Sequence, residues 1–292
     1  MRSIIGWASS RPYRLVLLTI ASVHIVAPVS AALLVVDALR RGPVAAATSA
    51  FAAILGVALI GILVGANLTE TLGLTVPILV GGAASGILLT WSRSLSLAFQ
   101  GTIVGVIVAA LIVFTVVPEA SRIGEILQNE VLTLLEAGGV SGDQLERFML
   151  VNPGEFVRVL LISVLVSLLA ALMLGYWWYA LIGEGVRFGT DFRALKLGRV
   201  AGITLMAVIA ADLLSDAELI QNLASMAVIG FLFQGLAVLH SRSHSDKWPR
   251  GVTVGVYLVL VSPWMYLGLM GLSAVGLVDN VFNLRARVGF EE

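Results

Sequence analysis

The sequence predicts an all-α, polytopic transmembrane helical bundle. Of its 292 residues, 59% are hydrophobic and 12% are charged, and the mean hydropathy is +0.99. A soluble domain carries roughly a quarter charged residues, because most of its surface faces water. The chain also contains repeated apolar runs long enough to cross about 30 Å of hydrocarbon as helices. A membrane β-barrel would instead show short segments of alternating hydrophobicity.

About eight apolar segments are predicted to span the membrane. They cover residues 13–38, 44–66, 73–91, 96–117, 157–182, 197–214, 219–240 and 252–279. The first is too long for the apolar core of a cleavable signal, and no convincing cleavage site follows it, so we expect it to remain as a helix. Segment 73–91 contains Pro77 and several glycines, which makes it the strongest candidate for a re-entrant or broken helix.

The spans divide into an N-terminal four-span half, 1–117, and a C-terminal four-span half, 157–292. The acidic connection between them, 118–156, has apolar residues at helical spacing: Ile123, Ile126, Leu127, Val131, Leu134 and Leu135. This spacing predicts an amphipathic helix that lies on the bilayer or caps the bundle. Its acidic polar face does not suit anionic lipid. We therefore expect it to cover the outer mouth of the bundle, with binding of a partner as the alternative.

Charge is distributed unevenly along the chain, although the net charge is zero. Basic residues cluster in 183–199 and 241–251, and acidic residues cluster in 118–156. The positive-inside rule places the two basic segments in the cytoplasm and the acidic one outside. Strict alternation of eight spans then places the N-terminus outside, where the arginines near the start of the chain are unfavourable. Either the N-terminus lies outside, or one of the first four segments fails to cross.

Motifs of several enzyme classes are absent from the sequence. It has no HExxH, no GxSxG, no P-loop and no dinucleotide fingerprint. It has no cysteine, which excludes disulfides, thiolate metal sites and cysteine nucleophiles. Its three scattered histidines do not have the spacing of metal ligands. We expect a protein that is not an enzyme, uses no cofactor or metal, and binds no nucleic acid.

Three polar residues are predicted at membrane depth, where an unsatisfied polar group is unfavourable. His24 lies four residues before Pro28, and this pair predicts a kink, because proline leaves the His24 carbonyl without its helical donor. Gln234 lies in the seventh span, and Asp279 closes the eighth. Each of the three fits two interpretations, hydrogen bonding between helices or contact with a ligand.

Three consecutive aromatic residues, Trp177, Trp178 and Tyr179, end the fifth span and precede the basic segment 183–199. This arrangement is typical of an aromatic belt at the membrane interface followed by a cytoplasmic loop.

Three motifs in the second half resemble the YybS-like family of bacterial polytopic membrane proteins. YWWYALIGEGVRFGTDFRALKL is similar at Trp177, Trp178, Ala180, Leu181, Phe188, Phe192, Leu195 and Leu197, with Asp191 and Lys196 matching in charge. FLFQGLAVLH is similar at Phe231, Gln234, Gly235, Leu236, Ala237 and His240. GLVDNVFNLRAR is similar at Gly276, Leu277, Asp279 and Arg285. The chain departs from the family pattern at Tyr179, 184–186 and Asn283, where the family has Gln, Asn-Pro-Gly and Asp.

The YybS-like family looks distantly similar to the substrate-binding membrane subunits of energy-coupling-factor transporters, which hold a vitamin-like solute and depend on separate ATPase partners. The resemblance implies a multi-pass, transport-related protein of the bacterial cytoplasmic (inner) membrane. It would bind a small or lipidic solute between its helices, with membrane or ATPase subunits as partners besides the lipid bilayer. The expected ligand contacts are His24, Gln234, Asp279, Trp177 and Trp178.

The segment 183–199 has its own expected role at the cytoplasmic side. Asp191, Arg193 and Lys196 in this segment would gate that side or dock a partner. The alternative function is a membrane scaffold that does not transport and recruits cytoplasmic partners through its basic loops. An internal pocket that reaches polar groups would favour a carrier, whereas a filled bundle would favour a scaffold.

Overall fold

Fifteen α-helices form the regular structure of residues 2–116, 122–183, 185–243 and 248–287, which the computed structural model describes. In chain order they are α1 (Arg2–Ala8), α2 (Pro12–Val23), α3 (Ala27–Arg41), α4 (Pro43–Leu63), α5 (Leu68–Ser92), α6 (Leu95–Val116), α7 (Ile123–Ala137), α8 (Gly142–Met149), α9 (Pro153–Ile182), α10 (Phe188–Arg193), α11 (Arg199–Asp212), α12 (Glu218–Ser243), α13 (Arg250–Leu260), α14 (Met265–Phe282) and α15 (Leu284–Arg287). The boundary predicted at 117/118 and part of the predicted loop 241–251 lie outside the described residues.

Local sequence signals set the ends of the long helices. Proline occupies the first turn of α4 and α9, where its missing N–H has no helical partner to lose. The Asn67 side chain caps α5 by accepting a hydrogen bond from the Thr69 N–H at 2.9 Å, and Asn152 caps α9 in the same way. Gly183 ends α9 at φ 104°, a left-handed conformation that glycine adopts without steric penalty.

Six helices in the described part of the chain are long and apolar enough to cross a membrane. They are Pro43–Leu63, Thr71–Ser92, Leu95–Val116, Pro153–Ile182, Glu218–Ser243 and Met265–Phe282. Large apolar side chains on these helices remain exposed to the surroundings of the protein, as Leu59 and Val104 do. Such surfaces are stable in lipid but not in water. The chain is therefore a multi-pass, integral membrane protein with an all-helical fold.

Residues 13–38 do not form the single span that the sequence predicts. Helix α2 ends at Val23, a turn follows at 24–26, and α3 starts with Pro28 in its first turn. Arg40 at the end of α3 donates a hydrogen bond to the Ser9 hydroxyl, which precedes α2. The two helices therefore run antiparallel as a hairpin. The kink predicted at His24 and Pro28 is a complete reversal. Pro28 has no N–H to donate to the His24 carbonyl, and it lies instead in the first turn of α3, where that N–H would have no helical partner.

Two further predicted spans are not single, full-length helices in the structure. Segment 252–279 is divided between α13 and α14 by a turn at 261–264 that contains Pro263. Segment 197–214 yields α11, whose 14 residues make a helix of about 21 Å. That length is short of the roughly 30 Å of a hydrocarbon core. The prediction of about eight full-length spans thus reduces to six in the described residues.

Segment 73–91, predicted to be re-entrant or broken, lies within the continuous helix α5, with Pro77 inside it. Its glycines permit close packing instead of a break. A Cβ at Gly82 would overlap Ala31, and one at Gly86 would overlap Val35 and Ala38. These contacts also show that α5 runs parallel to α3.

The acidic connection contains helices α7 and α8. Three buried residues of α7, Gly124, Gln128 and Leu132, recur at four-residue spacing and define one inward face. The Gln128 side chain donates to the backbone carbonyls of Phe148 and Val151 at 3.0 and 2.9 Å, which ties α7 to the end of α8.

The helices are oriented so that the two ends of the bundle carry opposite charge. Asn152 contacts Glu218, and Arg158 contacts Gln221, so α9 and α12 run parallel. The end we call the basic end, where α3, α5, α9, α12 and α14 finish, has Arg40, Arg41, Arg93, Arg187, Arg193, Lys196, Arg199, Arg242 and Arg285. The opposite, acidic end has Glu125, Glu130, Glu136, Asp143, Glu146, Glu155, Asp212, Asp216 and Glu218.

Candidate functional site

A buried polar cluster joins α12 to the C-terminal end of the chain. Gln234 is 0% exposed, Asp279 is 2% exposed and Arg285 is 8% exposed. Gln234 Nε2 donates to Asp279 Oδ2 at 2.8 Å, and Arg285 Nη2 donates to the same oxygen at 2.7 Å. Arg285 Nε reaches Asp279 Oδ1 at 3.3 Å. The arginine compensates the buried carboxylate charge, which would otherwise be strongly unfavourable at this depth.

The same side chains hold the backbone between α10 and α11. Arg285 donates to the carbonyls of Arg193 at 2.5 Å and Leu195 at 2.8 Å. The Leu197 N–H donates to Gln234 Oε1 at 3.0 Å. A further hydrogen bond to this backbone comes from Asn280, whose Nδ2 donates to the Gly198 carbonyl at 3.2 Å. We refer to Gln234, Asp279, Asn280 and Arg285 as the loop clamp.

The loop clamp provides hydrogen-bond partners for a stretch of non-helical backbone inside the protein. Residues 195–198 have no helical hydrogen-bond ladder, and the side chains of Leu195 and Leu197 are 0% exposed. Buried backbone N–H and C=O groups need partners, and the flanking helices supply only two here, the Phe192 carbonyl to the Leu195 N–H and the Gly202 N–H to the Gly198 carbonyl. The clamp supplies further partners with side chains from α12, α14 and the residues after α14. A structural role follows directly from this geometry.

Lys196 and α6 add a second set of contacts to this loop. The Lys196 carbonyl accepts a hydrogen bond from Gln100 Nε2 at 3.1 Å, and its N–H donates to Ser96 Oγ at 3.1 Å. Its Nζ donates to Asn283 Oδ1 at 2.5 Å. Asp191, in α10, accepts a hydrogen bond from the Tyr176 hydroxyl at 2.7 Å. The predicted cytoplasmic loop is thus attached to the bundle over much of its length.

Two glycines bring α12 and α14 close enough for the clamp to form. A Cβ at Gly276 would overlap the Phe231 carbonyl oxygen, and one at Gly235 would overlap the Leu272 carbonyl oxygen. This close backbone approach is typical of membrane helix pairs that associate through small residues. It also brings the Gln234 side chain within hydrogen-bond distance of Asp279.

The five predicted ligand contacts do not meet in one site. Gln234 and Asp279 lie together near the basic end, hydrogen-bonded to each other and to protein groups. His24 lies at the opposite, acidic end, exposed in the turn of the α2–α3 hairpin. Trp177 is half-buried near the basic end of α9. Trp178 packs against the buried residues of α3, and its buried indole N–H has no partner among the described residues.

One cleft lies at the acidic end, and we call it the acidic-end cleft. It has a volume of about 510 Å³ and lies between the α2–α3 hairpin, α5, α7 and α9. Its walls are mainly apolar, with Leu74, Ile78, Leu127, Val131, Phe156 and Leu160 among them. His24, Ser163 and Ser167 also line it, and none of these three side chains has a hydrogen-bond partner among the residues described.

A second cleft, the basic-end crevice, has a volume of about 430 Å³ and lies between α9, α10, α12 and α13. It is lined by aromatic rings together with Arg193 and His240. No pattern in the sequence indicated a ligand contact at Phe188, Phe192 or Tyr257. The two phenylalanines belong to the motif that resembles the YybS-like family, but nothing in the sequence placed Tyr257 beside them. Only the packing of α13 against α12 does so.

The described residues contain no group of three or more histidine, aspartate or glutamate side chains placed to hold a metal ion. Comparisons with protein-family models, curated proteins and solved structures give no match.

Proposed function

We propose that this integral membrane protein binds a lipidic solute in the acidic-end cleft. The observation that carries the proposal is a cleft of about 510 Å³ with apolar walls and three unpartnered polar side chains. Clefts of this size and composition bind ligands through apolar contact, while a few polar groups fix the orientation. An amphiphile whose chain follows the apolar wall and whose polar group meets Ser163 or Ser167 fits both parts.

The position of the cleft supports a ligand that enters from the bilayer. Ser163 and Val159 of the spanning helix α9 are exposed in the cleft. A hydroxyl without a partner at membrane depth is unfavourable, so a ligand that hydrogen-bonds to Ser163 gains by satisfying it. Helix α7 supplies Leu127 and Val131 from the acidic end, which limits access from water.

The loop clamp is a poorer candidate for solute binding. Its polar groups are hydrogen-bonded within the protein, and neither Gln234 nor Asp279 lines the acidic-end cleft or the basic-end crevice. The loop clamp thus fills its part of the bundle, as is expected of a scaffold. A ligand role for these two residues stays a prediction, as does membership of the YybS-like family and participation in transport with an ATPase partner.

We also propose that the basic end faces the cytoplasm of a bacterial cell. The positive-inside rule favours this orientation, because short loops near the ends of spanning helices carry excess Lys and Arg on the cytoplasmic side. The acidic-end cleft then opens toward the outer leaflet.

Native mass spectrometry of the full chain released from nanodiscs tests the binding proposal. We expect a retained lipidic molecule in the wild type and a loss of about tenfold or more in Ser163→Trp, because the indole fills the cleft. Ala109→Trp is the matched control. It places the same side chain at an exposed position of α6 that lines neither the acidic-end cleft nor the basic-end crevice. Ser163→Ala should weaken retention less than Ser163→Trp does.

Two results would count against the proposal. One is a wild-type protein that carries bulk lipid alone, and the other is equal retention by Ser163→Trp and Ala109→Trp. Either result would favour the scaffold, and capture of cytoplasmic partners on the exposed residues of 183–199 would follow. Loss of the ligand in Gln234→Leu with retention in Ser163→Trp would move the site to the loop clamp.

A further inference from the structure

The basic-end crevice differs from the acidic-end cleft in combining an apolar wall with a positively charged side chain. Its deeper wall consists of Met173, Phe233 and Leu236, which belong to the spanning helices α9 and α12. Its mouth has Arg193 and Ser243 at the ends of α10 and α12. An apolar wall at hydrocarbon depth therefore continues into a polar, positively charged rim at the end of the bundle.

A series of stacked and edge-on rings gives the crevice a rigid wall. Successive ring centroids are 5.9, 5.7, 5.4 and 6.1 Å apart along the series Tyr176, Phe188, Phe192, His240 and Tyr257. These separations fall in the range of favourable aromatic contacts. The last four of these rings line the crevice, and Tyr176 joins the series to α9. The series therefore connects the four helices that form the crevice, α9, α10, α12 and α13.

His240 is engaged within the protein at both ring nitrogens. Nδ1 lies 2.9 Å from the Leu236 carbonyl, which can only accept, so Nδ1 carries a proton. Nε2 lies 3.2 Å from the Tyr257 hydroxyl. The Tyr257 hydroxyl can donate or accept a hydrogen bond, so it engages Nε2. His240 therefore positions the wall of the crevice, and it does not provide a free donor to a ligand.

Arg193 is the charged group that remains for a ligand. No carboxylate of the described chain forms an ion pair with its guanidinium. Asp191, two residues earlier, is hydrogen-bonded to Tyr176. The Arg193 backbone is fixed, because its carbonyl accepts a hydrogen bond from Arg285 of the loop clamp. The structure therefore places an unpaired, positively charged side chain at the mouth of the crevice on a well-anchored backbone.

We propose that the basic-end crevice binds an anionic phospholipid from the leaflet at that end. The phosphate meets the Arg193 guanidinium, whose planar donors match phosphate oxygens. An acyl chain lies along Met173, Phe233 and Leu236. Lipid suits this site better than a soluble phosphate compound, since the apolar wall belongs to helices that face hydrocarbon. Other basic residues at the same end favour anionic over neutral lipid by attraction across the interface.

Competition between lipids in nanodiscs tests the proposal. The full chain is placed in nanodiscs of phosphatidylcholine with phosphatidylglycerol, and the lipids retained by the released protein are counted by native mass spectrometry. We expect phosphatidylglycerol to be retained in preference, and Arg193→Gln to lower its occupancy about fivefold, as loss of one basic contact near an anionic surface predicts. Arg199→Gln, an exposed arginine at the same end that lines none of the described clefts, should change occupancy less than twofold.

A second variant tests the apolar part of the site. Leu236→Trp fills the crevice and leaves Arg193 in place, so we expect it to lower phosphatidylglycerol retention as well. Thermal unfolding close to that of the wild type shows that each variant is folded. Equal loss in Arg193→Gln and Arg199→Gln would show diffuse surface attraction and overturn the proposal. Equal retention of the two lipids by the wild type, or displacement of phosphatidylglycerol by millimolar inorganic phosphate, would overturn it too.

Discussion

Asp279 and Arg285 show how a single ion pair can fix a non-helical segment inside a membrane protein. The carboxylate is 2% exposed and contacts both Arg285 and Gln234. Arg285 also donates hydrogen bonds to the backbone carbonyls of Arg193 and Leu195. Replacing Arg285 with a neutral residue therefore removes the counter-charge of Asp279 and also weakens the hydrogen bonds that hold the backbone of 193–195.

Arg285→Gln should destabilise the protein by about 3–5 kcal/mol, because it leaves a buried carboxylate without its counter-charge. The measurement is the free energy of unfolding in detergent micelles by denaturant titration. Glu155→Gln is the control. It breaks an ion pair with Arg158 in which the glutamate side chain is 46% exposed, and such pairs contribute about 0–1 kcal/mol. Similar values for the two variants would contradict a central role for the clamp.

The contact between α12 and α14 depends on two glycines, which have no side chain to hold the helices apart. Ser273 Oγ donates to the Val228 carbonyl at 3.1 Å, and Asp279 meets Gln234 two turns later, so the helices are parallel along this length. Gly276 lies between these two points on α14, and Gly235 directly follows Gln234 on α12; both glycines allow the backbones to approach. Glycine otherwise lowers helix stability, so its use at these contacts reflects packing rather than helix propensity.

Gly276→Ala should separate α12 from α14 and destabilise the protein by about 1–3 kcal/mol, because the new methyl group overlaps a backbone carbonyl that cannot rotate away. Gly271→Ala in the same helix is the matched control. A Cβ there meets no atom within 4 Å, so the change should be neutral or stabilising by about 0.5–1 kcal/mol. Denaturant titration of both variants measures the difference. If Gly276→Ala proved as stable as Gly271→Ala, the close approach would be wrong.

Across the whole molecule, the hairpin α2–α3 decides on which side the N-terminal residues lie. A single span at 13–38 would put Ser9 and Arg40 at opposite ends of the bundle. The hairpin puts them in contact. The arginines near the start of the chain then join the basic loops, which removes the conflict with the positive-inside rule.

Cysteine labelling tests this arrangement, and the absence of native cysteine makes single-cysteine variants unambiguous. In sealed, oriented vesicles, a membrane-impermeant maleimide should label Arg11→Cys and Arg187→Cys from the same side. Glu136→Cys, in α7, should react from the other side. Labelling of Arg11→Cys and Glu136→Cys from one side would contradict the hairpin arrangement.

The sequence by itself determined the class of the molecule and several of its boundaries. The excess of apolar residues predicts helices in lipid, because a bilayer offers no hydrogen-bond partners to an open backbone. The long helices α4, α6, α9 and α12 follow the predicted spans closely. The conspicuous polar residues Gln234 and Asp279 were also visible, since polar groups are rare at membrane depth.

The tertiary structure alone decided which apolar segments cross completely and which polar residues meet. Hydropathy measures how apolar a segment is, but a hairpin and a straight helix of the same composition differ only in a turn, as at 24–26 and 261–264. The hydrogen-bond partners of the Leu195 carbonyl and the Leu197 N–H are Arg285 and Gln234, which lie far along the chain. Periodicity within one helix carries no information about such partners. The separation of His24 from Gln234 follows for the same physical reason, since helix direction is set by packing between helices.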